Sequence, residues 1–257
     1  MKQLPNILTL GNLFCGALAI ICILHAPQYI AEFNGTEYTI TNPAPVYWAS
    51  VLVVLAAVFD FFDGLAARWL GLQSPMGKEL DSLADVVSFG LVPGMILFRL
   101  LRSAYFQMPD VFDVSYINLA PALLVPCFAA YRLAKFNLDT RQSENFIGMP
   151  TPPVGLLAAS FPLIVLYNPF NLAHWLQNIW VLYIIIALLC YLMVAEIPML
   201  SLKFKKLKDP GNWPRYVLVV LTLISIPVLK YATVPFIFTV YVVLSLIAPP
   251  KTGVVNP

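Results

Sequence analysis

The feature that most constrains the fold is a series of long apolar stretches. Eight of them follow one another, over positions 7–26, 46–70, 79–102, 116–137, 153–167, 176–199, 215–228 and 231–248. Most approach the roughly 20 apolar residues with which an α-helix crosses a bilayer. A transmembrane barrel would instead show alternating segments of about 10 residues. The sequence therefore predicts an all-α integral membrane protein, a bundle of about eight transmembrane helices. The last two stretches are also compatible with a hairpin that is broken near Lys230 and does not fully cross.

Composition agrees with this fold class. The chain of 257 residues is 60% hydrophobic and 11% charged, whereas soluble domains carry about a quarter charged residues. The sequence contains no linker, low-complexity tract or convincing repeat, so we expect one domain over residues 1–257. A net charge of +2 gives no reason to expect a nucleic-acid partner.

Basic residues predict the orientation in the membrane. The loops after the second, fourth and sixth stretches carry Lys78, Arg141 and the cluster "KFKKLKD" at 203–209, whereas the loops after the first and third are mainly acidic. Because basic loops stay on the cytoplasmic side, we expect both termini there, in the cytoplasmic membrane. The cluster also suits anionic headgroups of membrane lipids.

Four aspartates stand out in the stretch "DFFDGLAARWLGLQSPMGKELDSLAD", residues 60–85. Ionisable groups at membrane depth are costly and indicate a functional site. At about 100° per residue, two aspartates and their small and basic neighbours fall on one face of the second helix, and the other two aspartates fall on one face of the third. The first part is Asp60, Asp63, Gly64, Ala67 and Arg68; the second is Gly77, Asp81 and Asp85. A hairpin between them would bring two carboxylate pairs face to face.

Four adjacent carboxylates repel one another unless a cation lies between them. Divalent cations prefer hard oxygen ligands, so we expect two of them, Mg²⁺ or Mn²⁺, and a phosphate-bearing substrate. Gly64 and Ala67 leave room for that substrate, and Arg68 can bind a phosphate oxygen. Aspartates that merely cap helices, an ion-coupled transporter and an intramembrane prenyltransferase are alternatives. Each fits this spacing less well.

The pattern D-x2-D-G-x2-A-R-x8-G-x3-D-x3-D resembles the signature of the CDP-alcohol phosphatidyltransferases. The resemblance implies a six-helix catalytic core, here with two further helices, and a homodimer. It assigns Asp60, Asp63 and Asp81 to metal binding, and Asp85 to the second metal and to the role of base. It places the CDP part of the donor against Gly64, Ala67, Arg68 and Gly77.

Three further stretches resemble the integral-membrane phosphatidylserine synthases of that family. They are "PNILTLGNLFCG" at 5–16, "SLADVVSFGLVPG" at 82–94 and "RLAKFNLDTRQSENFIGMPTPP" at 132–153. This resemblance implies CDP-diacylglycerol as donor and L-serine as acceptor. The serine hydroxyl would attack the β-phosphorus, CMP would leave, and phosphatidylserine would form.

Two groups of polar residues each have two possible roles. Asn6, Thr9 and Asn12 either bind the cytidine head of the donor or pack helices. Arg132, Lys135, Asn137 and Arg141 are candidates for the serine site, or basic residues that reach the headgroups. An acceptor such as glycerol 3-phosphate or an inositol phosphate is the alternative to serine, although it would favour more clustered basic residues. The proline-rich loop 145–153 is expected to shape the acceptor pocket.

Overall fold

The computed structural model describes residues 3–25, 28–33, 36–41, 44–108, 113–139, 146–200 and 212–248. Its helices, in chain order, are α1 (Leu4–Leu24), α2 (Ala44–Trp69), α3 (Pro75–Asp85), α4 (Val92–Tyr105), α5 (Tyr116–Leu119), α6 (Leu124–Leu138), α7 (Thr151–Tyr167), α8 (Ala173–Leu176), α9 (Ile179–Val194), α10 (Trp213–Leu229) and α11 (Thr233–Ile247). Four short strands are also present. Strand β1 (Gln28–Phe33) pairs antiparallel with β2 (Thr36–Thr41), and β3 (Phe146–Ile147) pairs antiparallel with β4 (Pro198–Met199).

The expectation of an all-α integral membrane protein is confirmed, but the count of eight crossings is not. Among the described residues, five helical stretches are long and apolar enough to span a membrane, at 4–24, 45–69, 75–105, 116–138 and, if α10 and α11 are taken together, 213–247. The helices at 151–167 and 179–194 are apolar but shorter. The outward faces stay apolar, as Phe14, Phe61 and Ile184 are each more than 60% exposed. Such a surface suits a lipid environment rather than water.

Residues 213–247 form a hairpin, as the break expected near Lys230 indicates. Lys230 has φ 50° and ψ −118°, which no α-helix contains. The two arms contact each other, and across the break Thr233 Oγ1 donates a hydrogen bond to the carbonyl oxygen of Ser225 at 2.9 Å. At 17 and 15 residues, the two arms are about 25 and 22 Å long, shorter than the roughly 30 Å hydrocarbon layer.

A π-helical turn (Val86–Leu91) joins α3 to α4 directly after the last aspartate. Its Gly90 allows α6 to approach, since a Cβ at this position would lie 3.0 Å from Ala129. The turn also packs against α1 and α7. The helices that surround it hold the segment with the last aspartate in place from three sides.

Within the described part of the chain, the buried apolar side chains form two clusters. The larger one joins α4, α6, α7, α9 and α11, and the smaller one joins α1 and α2 to α4 around Phe89. Phe89 itself is fully buried. The aspartate-bearing ends of α2 and α3 therefore rest on a packed helical bundle.

Candidate active site

A tight connection brings the two aspartate-bearing helices together. Gly71, just past α2, has φ +63°, a conformation that glycine adopts without strain. Ser74 caps α3, as its Oγ accepts a hydrogen bond from the backbone N–H of Gly77 at 3.0 Å. Pro75 follows in the first turn, where a missing N–H costs nothing. These local signals turn the chain so that α3 lies beside α2.

Three of the four carboxylates form a compact group. One ligand oxygen each from Asp60, Asp63 and Asp81 lie within 4.8 Å of one another. Asp85 lies next to this group, close enough to Asp60 and Asp81 for the carboxyl groups to interact electrostatically. Asp63 and Asp85 are only 5% and 7% exposed. The helical phase expected from the sequence thus places the four carboxylates side by side.

This group suits a divalent cation. The buried Oδ1 of Asp81 has no hydrogen-bond partner among the residues that the structure describes. A buried acceptor without a partner is costly, and a bound cation would satisfy it. Hard oxygen ligands at this separation are what Mg²⁺, Mn²⁺ or Ca²⁺ prefer. Asp60, Asp63 and Asp81 can therefore hold a divalent metal.

Helix α1 contacts the acidic group at two points. Thr9 Oγ1 donates a hydrogen bond to Asp63 Oδ2 at 2.6 Å, and Asn12 Nδ2 donates one to Asp85 Oδ1 at 3.3 Å. The backbone carbonyl of Asn12 also accepts a hydrogen bond from Ser88 Oγ at 3.0 Å. Thr9 and Asn12 therefore pack α1 against the acidic helix pair and contact its carboxylates. The contact of Asn12 with Asp85 was not predicted, although both residues were noted as polar positions in apolar helices.

A cavity of about 760 Å³ opens beside the carboxylates. Its wall contains Asp63, Asp81 and six candidates for binding the CDP part of a donor, namely Asn6, Thr9, Gly64, Ala67, Arg68 and Gly77. Asn12, the seventh candidate, is not part of this wall and donates its hydrogen bond to Asp85. At Gly64 a Cβ would lie 3.4 Å from Arg68 Nη1, and at Gly77 one would lie 3.3 Å from Asn6 Oδ1. Small residues thus keep this wall open next to its polar groups.

The cavity wall also contains residues that the sequence did not single out as site residues. They include Gln73, Lys78 and Phe136. The Nζ of Lys78 donates a hydrogen bond to the backbone carbonyl of Asn137 at 3.1 Å, which joins α3 to the end of α6. The position of Lys78 in the sequence, close to the four aspartates, could have indicated that it belongs to the site. No pattern in the sequence indicates that Phe136 lies beside the aspartates.

Arg132 is buried close to the acidic group. It is 6% exposed, and its Nε has no hydrogen-bond partner within the described part of the chain. Its guanidinium lies over the ring of Phe136, 5.1 Å from the centroid. Its charge interacts with the side chains of Asp85 and Tyr241. A buried arginine of this kind offers donors to a ligand.

The other three candidates for the acceptor site differ from Arg132. Lys135 forms an ion pair with Glu196 at 3.2 Å. The side chain of Asn137 donates a hydrogen bond to Ser82 Oγ at 2.9 Å. Arg141 lies outside the described residues. Lys135 and Asn137 are thus bound to other parts of the protein, whereas the Nε of Arg132 has no hydrogen-bond partner among the described residues.

Comparison with known proteins identifies the family and relatives of this chain. The CDP-alcohol phosphatidyltransferase family model matches residues 2–193. The chain is 36% identical to the CDP-diacylglycerol–serine O-phosphatidyltransferase of Bacillus subtilis (strain 168) over 176 residues, which are 67% of this chain and 81% of that one. It is 33% identical to the enzyme of the same name from Helicobacter pylori (strain ATCC 700392 / 26695) over 223 residues, 85% of this chain and 79% of that one.

An archaeal relative is similar over a shorter region. The archaetidylserine synthase of Methanothermobacter thermautotrophicus is 33% identical over 138 residues, 53% of this chain and 55% of that one. The matched family region contains α1 to α9 and with them every aspartate of the site. With its acidic helix pair, its small-residue wall and a family match over most of its length, the chain belongs to the CDP-alcohol phosphatidyltransferase family and is a phosphotransferase.

Proposed function

We propose that this enzyme transfers the phosphatidyl group of CDP-diacylglycerol to the hydroxyl of L-serine, which gives phosphatidylserine and CMP. The observation that carries the choice of acceptor is Arg132, a buried cation whose Nε has no described partner and whose charge interacts with Asp85. Its side chain suits the serine carboxylate, because a guanidinium binds a carboxylate through two parallel hydrogen bonds. The names of the bacterial relatives support the same acceptor.

The donor fits the cavity between α1, α2 and α3. A volume of about 760 Å³ lies in the range of roughly 300–1,000 Å³ that is common for ligand pockets. We assign the cytidine side of the donor to Asn6, Thr9, Gly64, Ala67 and Gly77, and a phosphate oxygen to Arg68. The acyl chains would remain in lipid beside the exposed apolar faces of the helices.

We further propose two divalent cations, Mg²⁺ or Mn²⁺. Asp60, Asp63 and Asp81 would hold the first, and Asp85 would complete the second site. When bound, the cations neutralise charge on the diphosphate, which phosphoryl transfer requires more than a protein nucleophile. Asp63 is oriented for this role by the hydrogen bond from Thr9.

Asp85 is the proposed base. It would accept the proton of the serine hydroxyl as the serine oxygen bonds to the β-phosphorus and the bond from that phosphorus to CMP breaks. The reaction consumes one serine and one CDP-diacylglycerol, and it releases CMP and the proton. Asp85 and Arg132 are both buried and interact electrostatically, and one serine molecule would contact both residues.

The test is an acceptor comparison with purified protein, CDP-diacylglycerol and Mn²⁺. We expect release of CMP and formation of labelled phosphatidylserine when labelled serine is added. Glycerol 3-phosphate and an inositol phosphate, the alternative acceptors of the same chemistry, should give little product. Release of CMP with glycerol 3-phosphate and none with serine would overturn the proposed acceptor.

Two assignments on assembly and orientation are part of the proposal. Both termini and the active site would lie on the cytoplasmic side of the membrane, as the basic loops indicate. Labelling of a single introduced cysteine in sealed vesicles would test this sidedness. A homodimer is proposed on the family resemblance, and native mass spectrometry in detergent would test it. The whole chain, 1–257, would act as one domain.

A further inference from the structure

Helix α11 lies outside the region matched by the family, which ends at residue 193, and it packs against α7 and β4. Two of its side chains bind the backbone of Leu200. Tyr241 Oη donates a hydrogen bond to the Leu200 carbonyl oxygen at 2.9 Å, and Ser245 Oγ accepts one from the Leu200 N–H at 3.2 Å. Ser245 Oγ also donates to the Tyr241 carbonyl at 2.8 Å, so the hydroxyl uses both its donor and an acceptor position.

All three residues are buried. Leu200, Tyr241 and Ser245 are 4%, 8% and 0% exposed. Loss of either hydroxyl would leave a buried backbone group of Leu200 without its partner. Such a group is costly, so these hydrogen bonds fix the position of Leu200.

Leu200 ends a short connector, residues 195–200, that leads on from α9. The connector pairs with β3, where Phe146 faces Met199 and Ile147 faces Pro198. Its Ile197 carbonyl accepts a hydrogen bond from the Gly148 N–H at 2.9 Å. The connector therefore holds the start of the loop that leads into α7.

The connector also reaches α6. Its Glu196 forms the 3.2 Å ion pair with Lys135, one turn beyond Arg132. Tyr241 lies close enough to Arg132 for the two side chains to interact electrostatically. Helix α11 is thus linked to α6, the helix of Arg132, through the connector.

We propose that Tyr241 and Ser245 of α11 are positioning residues for the acceptor site, which set the placement of Arg132 through the connector. The inference rests on the proposed function, since it assigns the acceptor carboxylate to Arg132. It gives the α10–α11 hairpin a role in acceptor binding, separate from the metal and donor sites on α1, α2 and α3.

The experiment compares full-length Tyr241→Phe and Ser245→Ala with the wild type in acceptor titrations. We expect the KM for serine to rise about three- to tenfold, the effect of one lost buried hydrogen bond. The KM for CDP-diacylglycerol and the Mn²⁺ dependence should stay within twofold. Thr239→Ala is the matched control, because its exposed Oγ1 bonds to Pro235 of the same helix. That variant should behave as the wild type.

A double-mutant cycle tests the coupling to Arg132. If Tyr241 acts through the arginine, the effects of Tyr241→Phe and Arg132→Lys on the KM for serine should not add. Additive effects, an unchanged KM for serine, or equal changes in the donor and serine constants would overturn the inference. An active wild type with an unaltered Tyr241→Phe variant would reject this inference alone. Absence of serine-dependent CMP release in the wild type would reject the proposed function.

Discussion

The side-chain amide of Asn12 donates a hydrogen bond to Oδ1 of Asp85 at 3.3 Å and so ties α1 to the end of α3. Asn12 is fully buried, and its own Oδ1 has no partner among the described residues. Its backbone carbonyl is bound in turn by Ser88 Oγ. Because both its amide and its backbone are engaged, Asn12 holds the Asp85 carboxylate in one orientation.

Substitution of Asn12 by alanine should lower kcat by about 10- to 100-fold, the usual cost of losing a group that orients a ligating carboxylate. The midpoint of thermal unfolding in detergent should stay close to that of the wild type. Ser50→Ala is the matched control, as Ser50 is equally buried but bonds to Val46 of its own helix. An Asn12→Ala variant with wild-type kcat would show that Asp85 needs no orienting partner.

The aspartates Asp85 and Asp63 should respond differently to substitution by asparagine. Asp85→Asn should abolish turnover and leave binding of CDP-diacylglycerol largely intact, because the proposed base is lost and the donor contacts remain. Strong residual turnover would remove Asp85 from the role of base.

For Asp63→Asn we expect a loss of turnover together with weaker binding of Mn²⁺, seen as a shift of the Mn²⁺ titration to higher concentration. Asp63 belongs to the three-carboxylate group and accepts the 2.6 Å hydrogen bond from Thr9. Thr9→Val removes that bond without removing a carboxylate, so its Mn²⁺ titration should shift less than that of Asp63→Asn. An unchanged Mn²⁺ titration in Asp63→Asn would argue against metal ligation by this residue.

How far the sequence predicts this molecule depends on the range of each contact. Helical phase alone places Asp60 and Asp63 on one face of α2, and a capping serine with a proline marks the start of α3. The break at Lys230 follows from a charged residue between two apolar stretches. These features are local, and the structure contains them.

Contacts between distant segments could not be predicted in the same way. Tyr241 and Leu200 are 41 positions apart, and nothing in their local pattern indicates that they meet. The number of membrane crossings was equally difficult to predict, because α7 and α9 have 17 and 16 residues, close to the lower limit for a membrane span. Hydropathy predicts that such helices exist, whereas packing against neighbouring helices determines their depth and tilt in the membrane.

Arg132→Lys keeps the charge but removes the planar fork that binds a carboxylate through two hydrogen bonds. We expect the KM for serine to rise about tenfold or more, with kcat at saturating serine and the KM for CDP-diacylglycerol little changed. Arg102→Lys is a suitable control, because Arg102 likewise lies against a ring, that of Phe106, in helix α4. Equal KM values for serine in the wild type and Arg132→Lys would remove Arg132 from the acceptor site.

Close packing at Gly155 should make the bundle sensitive to one added methyl group. A Cβ at Gly155 of α7 would lie 2.6 Å from the ring of Phe89 and 3.2 Å from its Cα, so the π turn would have to move. Overpacking of this kind costs about 1–3 kcal/mol. Gly155→Ala should therefore lower the midpoint of thermal unfolding in detergent. At Gly11 the nearest atoms are those of the Phe59 ring at 3.2 Å, which can shift, so Gly11→Ala should be milder. An equal midpoint in the two variants would contradict a rigid contact between α7 and the π turn.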